Sequence, residues 1–187
     1  EGIKEDSVFM TGNTIVDAVY QNLEIAGQGP NSLELLHIKP GKYFLVTLHR
    51  QENVDSKKRF GSILTGLNML AKEFNLPVIY PIHPRSRQKM SECGFDSGAV
   101  KLIEPLDYLG FLQIESNARL ILTDSGGVQE EACILGIPCV TLRDNTERPE
   151  TIEAGSNILA GVNAATILES ARIMMNKEKN WANPFGD

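Results

Sequence analysis

The chain has 187 residues, of which 42% are hydrophobic and 22% charged, a composition typical of a single globular domain with a full core. Its formal net charge of −6 argues against nucleic acid or an anionic membrane as a partner, because no basic field attracts either. No apolar run approaches the ~20 residues of a membrane span, and the polar first residues do not resemble a signal peptide. The three cysteines lack metal-ligand spacing, so we expect reduced thiols in a cytoplasmic protein, with Cys133 and Cys139 in the core.

Helices and strands are predicted to alternate along the chain, from helical spacing of apolar residues and from short apolar runs that end at polar residues. In chain order we predict helix 11–26, strand 43–48, helix 57–74, strand 78–82, helix 85–93, strand 100–103, helix 108–116, strand 119–123, helix 126–135, strand 138–142, helix 149–154, strand 157–159 and helix 164–175. This alternation indicates βαβ units and a parallel sheet. The predicted fold class is therefore α/β, with a doubly wound, Rossmann-like sheet.

Both ends of the chain look like parts of a longer protein. Residues 1 to 7 are typical of a linker, and residues 183 to 187 have turn chemistry with nothing after them. We therefore interpret residues 1 to 187 as one domain excised from a longer chain.

The fold class predicts where a ligand binds, because open α/β sheets bind ligands outside the carboxyl ends of their strands. Five loops would then form one site: 47–53, 82–87, 104–107, 123–131 and 142–150.

The loop at 123–131 is predicted to hold a phosphate. Gly126 and Gly127 let the backbone turn tightly and lie close to a ligand, and Ser125 can cap the helix that follows. The free N–H groups at that helix start suit an anion, and Glu130 and Glu131 offer carboxylates for ribose hydroxyls. A tight connection without a ligand remains the alternative.

The other loops carry further candidates with competing interpretations. His49 can act as a general acid or phosphate donor, or be an inert loop histidine. Arg50 and Glu52 can bind a ligand or pair with each other. Phe111 can stack on a base or pack in the core, and for Tyr108 the core is the better prediction.

The remaining polar loops suit anions to different degrees. The segment 83–87, His-Pro-Arg-Ser-Arg, is compatible with an anion but is more typical of a solvated helix start. The segment 143–150 is so polar that we expect it to be solvated or engaged with a ligand, with a guanidinium on a sugar or phosphate. The chain contains no Walker motif, no G-x-G-x-x-G after its first strand and no G-x-S-x-G, which disfavours a dinucleotide cofactor and a hydrolase elbow.

Four segments of the chain together resemble the non-hydrolysing UDP-N-acetylglucosamine 2-epimerases. They are T-G-N-T at 11–14, H-R-Q-E-N at 49–53, T-D-S-G-G-V-Q-E-E-A at 123–132 and R-D-N-T-E-R-P-E at 143–150, and they follow the family's order. The resemblance implies a glycosyltransferase-B architecture of two Rossmann-like domains with the active site between them. This chain resembles only the C-terminal half, from the interdomain linker to just before the last helix. The full-length protein would be a homodimer.

The resemblance also implies an activity, the interconversion of UDP-GlcNAc and UDP-ManNAc. UDP is eliminated across C1–C2 and added back with the opposite configuration at C2, without a metal or nicotinamide cofactor. The carboxylates that handle the C2 proton would lie in the absent N-terminal domain.

Site residues are implied by the matching motifs. Ser125, Gly126 and Gly127 would hold the diphosphate, and Glu131 the ribose hydroxyls. Phe111 would lie by the uracil, with Pro105 at the same UDP site. Arg148 would contact the sugar or phosphate, and His49 would assist the departure of UDP as an acid or charge stabiliser.

One segment departs from the family pattern: many bacterial members read His-x-Asn-Pro where this chain has His83-Pro84-Arg85-Ser86, which leaves open whether a second, activating UDP-GlcNAc binds. Three other functions share the fold: a glycosyltransferase, a hydrolysing epimerase and a non-catalytic UDP-sugar-binding module.

Overall fold

The computed structural model describes residues 2–9 and 12–186. A short 3-10 helix, Glu5–Ser7, precedes the α/β region. In chain order the further elements are α1 (Ile15–Ala26), α2 (Ser32–Leu35), β1 (Phe44–Thr47), α3 (Gln51–Val54), α4 (Lys57–Phe74), β2 (Val78–Pro81), α5 (Pro84–Cys93), β3 (Val100–Ile103), α6 (Tyr108–Ser116), β4 (Leu120–Thr123), α7 (Gly126–Ile134), β5 (Cys139–Thr141), α8 (Pro149–Glu153), β6 (Asn157–Leu159) and α9 (Ala164–Met175).

The described strands form one parallel sheet in the order β3-β2-β1-β4-β5-β6. This is the strand order of a doubly wound Rossmann-like sheet, so the predicted fold class is confirmed. The order reverses between β1 and β4, whose last residues, Thr47 and Thr123, are paired in register. A crevice is expected at this switch point, outside the carboxyl ends of the two strands.

Side chains that alternate along the strands build a core on each face of the sheet. Phe44 and Val46 point into the core that includes α4 and α9, whereas Leu45 and Ile121 point into the opposite core. Gly66 in α4 allows close packing with α9, since an added Cβ would lie 3.2 Å from Ala164 Cα.

A smaller third cluster ties the end of the chain to the domain. Phe185 is buried there with Val16, Val19 and Leu112, and Trp181 Nε1 donates to the Cys133 carbonyl at 3.1 Å. The segment 183–187, predicted only as turn chemistry, therefore contributes a core side chain; Asp187 lies outside the described residues.

Several predicted boundaries agree with the structure because strong local signals set them. The bounds of α4, β3, α6, β6 and α9 are as predicted, and Asp107 caps α6 by accepting from the Gly110 N–H at 2.8 Å. The first helix begins at Ile15 rather than near residue 11, because Gly12 has φ +76° and the Asn13 side chain accepts from the Ile15 N–H. Thr11 of the predicted T-G-N-T segment lies outside the described residues.

Two of the short helices, α2 and α3, were not predicted. The helices α2 and α3 have four residues each, too few for a periodic apolar pattern. Cys133 and Cys139 are buried as predicted, and their thiols are free. Among the helices of the described residues, none combines the length and apolar character that crossing a bilayer requires.

Candidate functional site

The loops after β1 and β4 are joined at the switch point. Thr47 Oγ1 and Thr123 Oγ1 lie 2.5 Å apart, and the Asp124 N–H donates to the Thr47 carbonyl at 3.2 Å. The first and fourth predicted loops are thus brought together at the sheet edge where a ligand is expected.

Asp124 is the buried centre of this junction. Its carboxylate accepts from the backbone N–H groups of His49 and Arg50, at 3.1 and 3.0 Å, and from Asn53 Nδ2 at 3.1 Å. Asn53 Nδ2 also donates to the Leu142 carbonyl at 2.9 Å, which brings in the fifth loop. Asp124 lies within the predicted phosphate loop, but no role was predicted for it; its position directly after a buried strand was the available signal.

His49 is oriented by the same carboxylate. Its Nδ1 lies 3.2 Å from Asp124 Oδ1, and 52% of its side chain is exposed whereas that of Asp124 is fully buried. A carboxylate behind Nδ1 favours a proton on that nitrogen. Nε2 is then left to accept or release a proton at a ligand, which makes the inert-histidine alternative the weaker one.

The start of α7 is not capped by a side chain. Ser125 occupies the N-cap position, but among the described residues its hydroxyl makes no cap hydrogen bond, so the predicted side-chain cap is wrong. Its backbone N–H instead donates to Thr123 Oγ1 at 2.9 Å. The N–H groups of the first turn therefore remain available to an anion.

Gly126 and Gly127 leave room above that turn. Both have helical backbone and neither has positive φ, so the two-residue turn between β4 and α7 does not use a left-handed glycine conformation. A Cβ added to Gly126 would lie 3.8 Å from Arg148 Cζ and 3.9 Å from Arg148 Nη2. The missing side chain thus keeps open a space between the helix start and a guanidinium.

The two carboxylates of α7 have different partners. Glu130 Oε1 accepts from Asn13 Nδ2 at 3.0 Å and lies 2.8 Å from Arg148 Nε. Glu131 Oε1 accepts from the Tyr108 hydroxyl at 3.0 Å. The prediction of a core Tyr108 is wrong, since 42% of this residue is exposed.

Burial dominates the electrostatics around Glu131. It raises the pKa of the Glu131 carboxyl, the hydrogen bond from Tyr108 lowers it, and the nearby Glu130 raises it. The pKa of Tyr108 is raised to about 12, first by burial and then by Glu131. Tyr108 therefore stays a hydrogen-bond donor at neutral pH, and its bond favours the ionised form of Glu131.

The arginines of the first and fifth loops form an alternating network with glutamates. Arg143 is buried and contacts Glu52 at 3.1 Å and Glu147 at 2.7 Å, while Arg50 contacts Glu147 at 3.5 Å. Arg50 and Glu52, predicted as one possible pair, thus pair with other residues. Because Arg143 is enclosed, Arg148 is the better placed guanidinium of its loop for a ligand.

A buried polar network supports the Arg148 backbone. Gln129 Oε1 accepts from the Thr146 hydroxyl at 2.5 Å, and Thr146 Oγ1 accepts from the Arg148 N–H at 3.0 Å. The Thr151 hydroxyl donates to the Arg148 carbonyl at 2.8 Å. Both polar groups of the Arg148 peptide are therefore held from within the domain.

The second and third loops border a cavity of about 180 Å³ beside the switch point. It is lined by Thr47, Pro81, His83, Pro105, Leu106 and Phe111. Pro105 and Phe111, both predicted site residues, thus line one mostly apolar cavity. Arg85 and Arg87 pair with Asp55 and Glu104, which favours the solvated helix start predicted for them.

No group of three or more His, Cys, Asp or Glu side chains arranged to hold a metal ion occurs in residues 2–9 and 12–186.

Known proteins resemble this chain over its whole length. The sequence model of the family described as UDP-N-acetylglucosamine 2-epimerase matches residues 1 to 187. The UDP-N-acetylglucosamine 2-epimerase of Methanocaldococcus jannaschii is 50% identical over 194 residues, which cover 100% of this chain and 53% of that protein. A Pseudomonas aeruginosa UDP-2,3-diacetamido-2,3-dideoxy-D-glucuronate 2-epimerase is 43% identical over 136 residues, covering 72% of this chain and 38% of that protein.

Solved structures show the same similarity. The M. jannaschii UDP-GlcNAc 2-epimerase in complex with UDP-GlcNAc and UDP superimposes with a TM-score of 0.91 at 50% identity, covering 100% of this chain and 53% of that one. The S. aureus MnaA–UDP structure gives a TM-score of 0.81 at 34% identity, covering 100% and 52%. The chain spans about half the length of the relatives that it matches in full, as expected for one Rossmann-like half of a glycosyltransferase-B-type architecture.

Proposed function

The chain belongs to the UDP-N-acetylglucosamine 2-epimerase family, and from that premise we propose that its 187 residues form the UDP-binding, C-terminal half of an enzyme that interconverts UDP-GlcNAc and UDP-ManNAc. The observation that carries the proposal is the meeting, at one switch point, of an uncapped helix start, an Asp-oriented histidine and a partly exposed arginine. Together these three features suit the binding and stabilisation of an anionic leaving group.

Each predicted residue takes a role that its surroundings support. The diphosphate binds the start of α7, at Ser125, Gly126 and Gly127, with Arg148 on its other side. The ribose hydroxyls donate to Glu131, next to Tyr108. The uracil enters the cavity beside Pro105 and Phe111.

The proposed chemistry uses these residues to retain the leaving group. The proton at C2 is removed, the electrons of the C2–H bond form the C1–C2 double bond, and the C1–oxygen bond breaks to release UDP. The reverse steps return UDP to C1 and a proton to the other face of C2. His49 stabilises or protonates the departing diphosphate, and fixed donors that bind developing charge typically contribute several kcal/mol. The groups that move the C2 proton lie outside these 187 residues.

Calorimetric titration with UDP tests the binding half of the proposal. We expect Ser125→Ala and Glu131→Ala each to weaken binding about ten-fold, as is typical when a charge-assisted partner is removed. Ser91→Ala and Glu24→Ala, both at exposed positions, are the matched controls. Equal UDP affinity in all four variants and the wild type would show that the site is elsewhere.

Deuterium incorporation tests the reaction. The full-length protein, incubated with UDP-GlcNAc in D2O, should place deuterium at C2 of both epimers without releasing free ManNAc. Free ManNAc would instead indicate a hydrolysing epimerase, and absence of exchange with transfer to an acceptor would indicate a glycosyltransferase. We expect no C2 exchange with the 187 residues alone.

A second substrate class follows from the similarity to the P. aeruginosa protein. A UDP-diacetamido-glucuronate carries the same UDP, so the binding half described above would serve either sugar. Parallel assays of C2 exchange with both UDP-sugars decide between them.

We further propose that the full-length enzyme is a cytoplasmic homodimer. The free thiols of the three cysteines agree with a reducing compartment. Analytical ultracentrifugation of the full-length protein measures the subunit number.

A further inference from the structure

Asn13 lies outside the five loops of the site yet contacts the residue that holds Arg148. Its side-chain amide donates to Glu130 Oε1 at 3.0 Å, and its Oδ1 accepts from the Ile15 N–H at 3.1 Å. Its backbone N–H donates to the Phe185 carbonyl at 3.0 Å. Asn13 is therefore held at three points, and its amide has one orientation that satisfies both side-chain contacts.

Glu130 connects Asn13 to the guanidinium of Arg148. Its side chain is only 10% exposed, and the oxygen that accepts from Asn13 is the one that lies 2.8 Å from Arg148 Nε. A carboxylate with a single accessible orientation fixes the ion pair more tightly than a mobile surface glutamate does.

The guanidinium is then left with one side free for a ligand. Nε lies 2.8 Å from Glu130 Oε1 in an ion pair but makes no hydrogen bond among the described residues, and Nη1 donates to the Glu147 carbonyl at 2.9 Å. Nη2 lies near Gly126, within 3.9 Å of the position that a Cβ would occupy. That side faces the uncapped start of α7. An anion placed there could accept from the guanidinium of Arg148 and from the backbone N–H groups of the first turn of α7.

We propose that Asn13 is a positioning residue that acts through Glu130 to hold the Arg148 guanidinium over the start of α7. The inference rests on the proposed function, since it assigns Arg148 to the diphosphate. It adds a residue from the segment before α1 to a site otherwise built from the carboxyl ends of the strands.

Three variants test the coupling between Asn13 and Glu130. Asn13→Asp places two carboxylates in contact, and Glu130→Gln removes the negative charge that faces Arg148. Each variant should weaken UDP binding about ten-fold. The double variant Asn13→Asp/Glu130→Gln restores a hydrogen bond with donor and acceptor exchanged. Its log Kd for UDP should return at least half of the way to the wild-type value. Asn22→Ala is the control, because the Asn22 amide donates to the Ala18 carbonyl within α1; it should stay within about two-fold of the wild type.

Comparing UDP with uridine separates a positioning role of Asn13 from general damage to the fold. Because Arg148 would contact phosphate, binding of UDP should weaken in Asn13→Asp while binding of uridine stays unchanged. An equal loss for uridine and UDP, or additive losses in the double variant, would overturn the inference.

A structural readout keeps the inference independent of the proposed function. The Nε–H resonance of Arg148, assigned by its disappearance in Arg148→Lys, should shift in Asn13→Asp and stay in place in Asn22→Ala. If the wild type fails to bind UDP, the proposed function fails, and an unshifted resonance in Asn13→Asp would then also refute the inference about Asn13.

Discussion

His49 and Asp124 meet across the switch point of the sheet, with 3.2 Å between Nδ1 and Oδ1. The carboxylate that orients the imidazole also accepts from the backbone of the loop that carries it. One buried group therefore fixes both the position of the histidine backbone and the direction of its ring, and this dual role makes it the most informative residue to change.

Asp124→Asn should destabilise the domain and abolish binding at the site. The amide has one oxygen acceptor where the carboxylate has two, and its NH2 group faces N–H donors that need an acceptor. We expect a loss of about 2–4 kcal/mol in the free energy of unfolding, the range for breaking a buried charged network, measured by urea denaturation. Asp144→Asn, at a side chain that is 68% exposed and paired with Arg59, should cost less than about 1 kcal/mol. Similar losses in both variants would contradict the structural role of Asp124.

Gly126→Ala should impair ligand binding without impairing the fold. The nearest atoms to an added Cβ lie 3.6 Å away, at Glu147 Oε2, which is ordinary van der Waals contact, and alanine is the better helix former. The methyl group would occupy the space assigned to the diphosphate. We expect an unchanged or slightly raised melting temperature with at least about ten-fold weaker UDP binding. Full UDP affinity in a folded Gly126→Ala protein would place the diphosphate elsewhere.

Tyr108→Phe should shift the pH dependence of UDP-GlcNAc binding. The Tyr108 hydroxyl lowers the pKa of Glu131, so its removal raises that pKa further, and Glu131 becomes protonated at a higher pH. Binding that needs the ionised carboxylate is then lost sooner as the pH falls, with a midpoint at higher pH than in the wild type. UDP-GlcNAc suits the titration because its esterified diphosphate does not titrate near neutrality. Tyr20→Phe, which loses a bond to the Ile134 carbonyl, should leave the midpoint unchanged, and a downward displacement in Tyr108→Phe would contradict the argument.

Glu115 should make the domain less stable as the pH rises. It is fully buried in α6, and neither carboxylate oxygen has a hydrogen-bond partner among the described residues. Burial, and then the charge of Glu131, raise its pKa well above the ordinary 4.5. The stability that the protonated form contributes is complete below the unfolded pKa and is lost as the pH rises through the folded pKa.

Glu115→Gln isolates this contribution. The free energy of unfolding of the variant minus that of the wild type should be smallest in acid. It should grow by up to about 1.4 kcal/mol per pH unit until Glu115 ionises. Urea denaturation at a series of pH values measures it, with Glu24→Gln on the exposed face of α1 as the control. A difference that is independent of pH would mean that Glu115 is not a buried acid.

The sequence predicts the scaffold well because its signals are local. The apolar spacing of 57–74 and the cap at Asp107 act within a few residues, so α4 and α6 have the predicted bounds. The placement of His49, Ser125 and Arg148 at one sheet edge follows from the topology rule alone.

The interior of the site depends on contacts between residues that are far apart in the sequence, and a local sequence pattern does not predict such contacts. Asp124 and His49 are 75 positions apart, and Arg143 and Glu52 are 91 apart. Pairing within one loop was expected for Arg50 and Glu52, but in the fold each pairs with a residue of the fifth loop. Tyr108 shows the same limit, because its hydroxyl donates to Glu131, a carboxylate on another helix 23 positions along the chain.

The packing of Trp181 against α7 gives the protein an intrinsic optical reporter. It is the single tryptophan of the chain, its indole N–H is bonded to the Cys133 carbonyl, and it lies next to the cluster that buries Phe185. Release of residues 181 to 186 would expose the indole to water and shift its emission to longer wavelength. Fluorescence can therefore follow the detachment of this segment in real time, without a label, during unfolding or ligand titration.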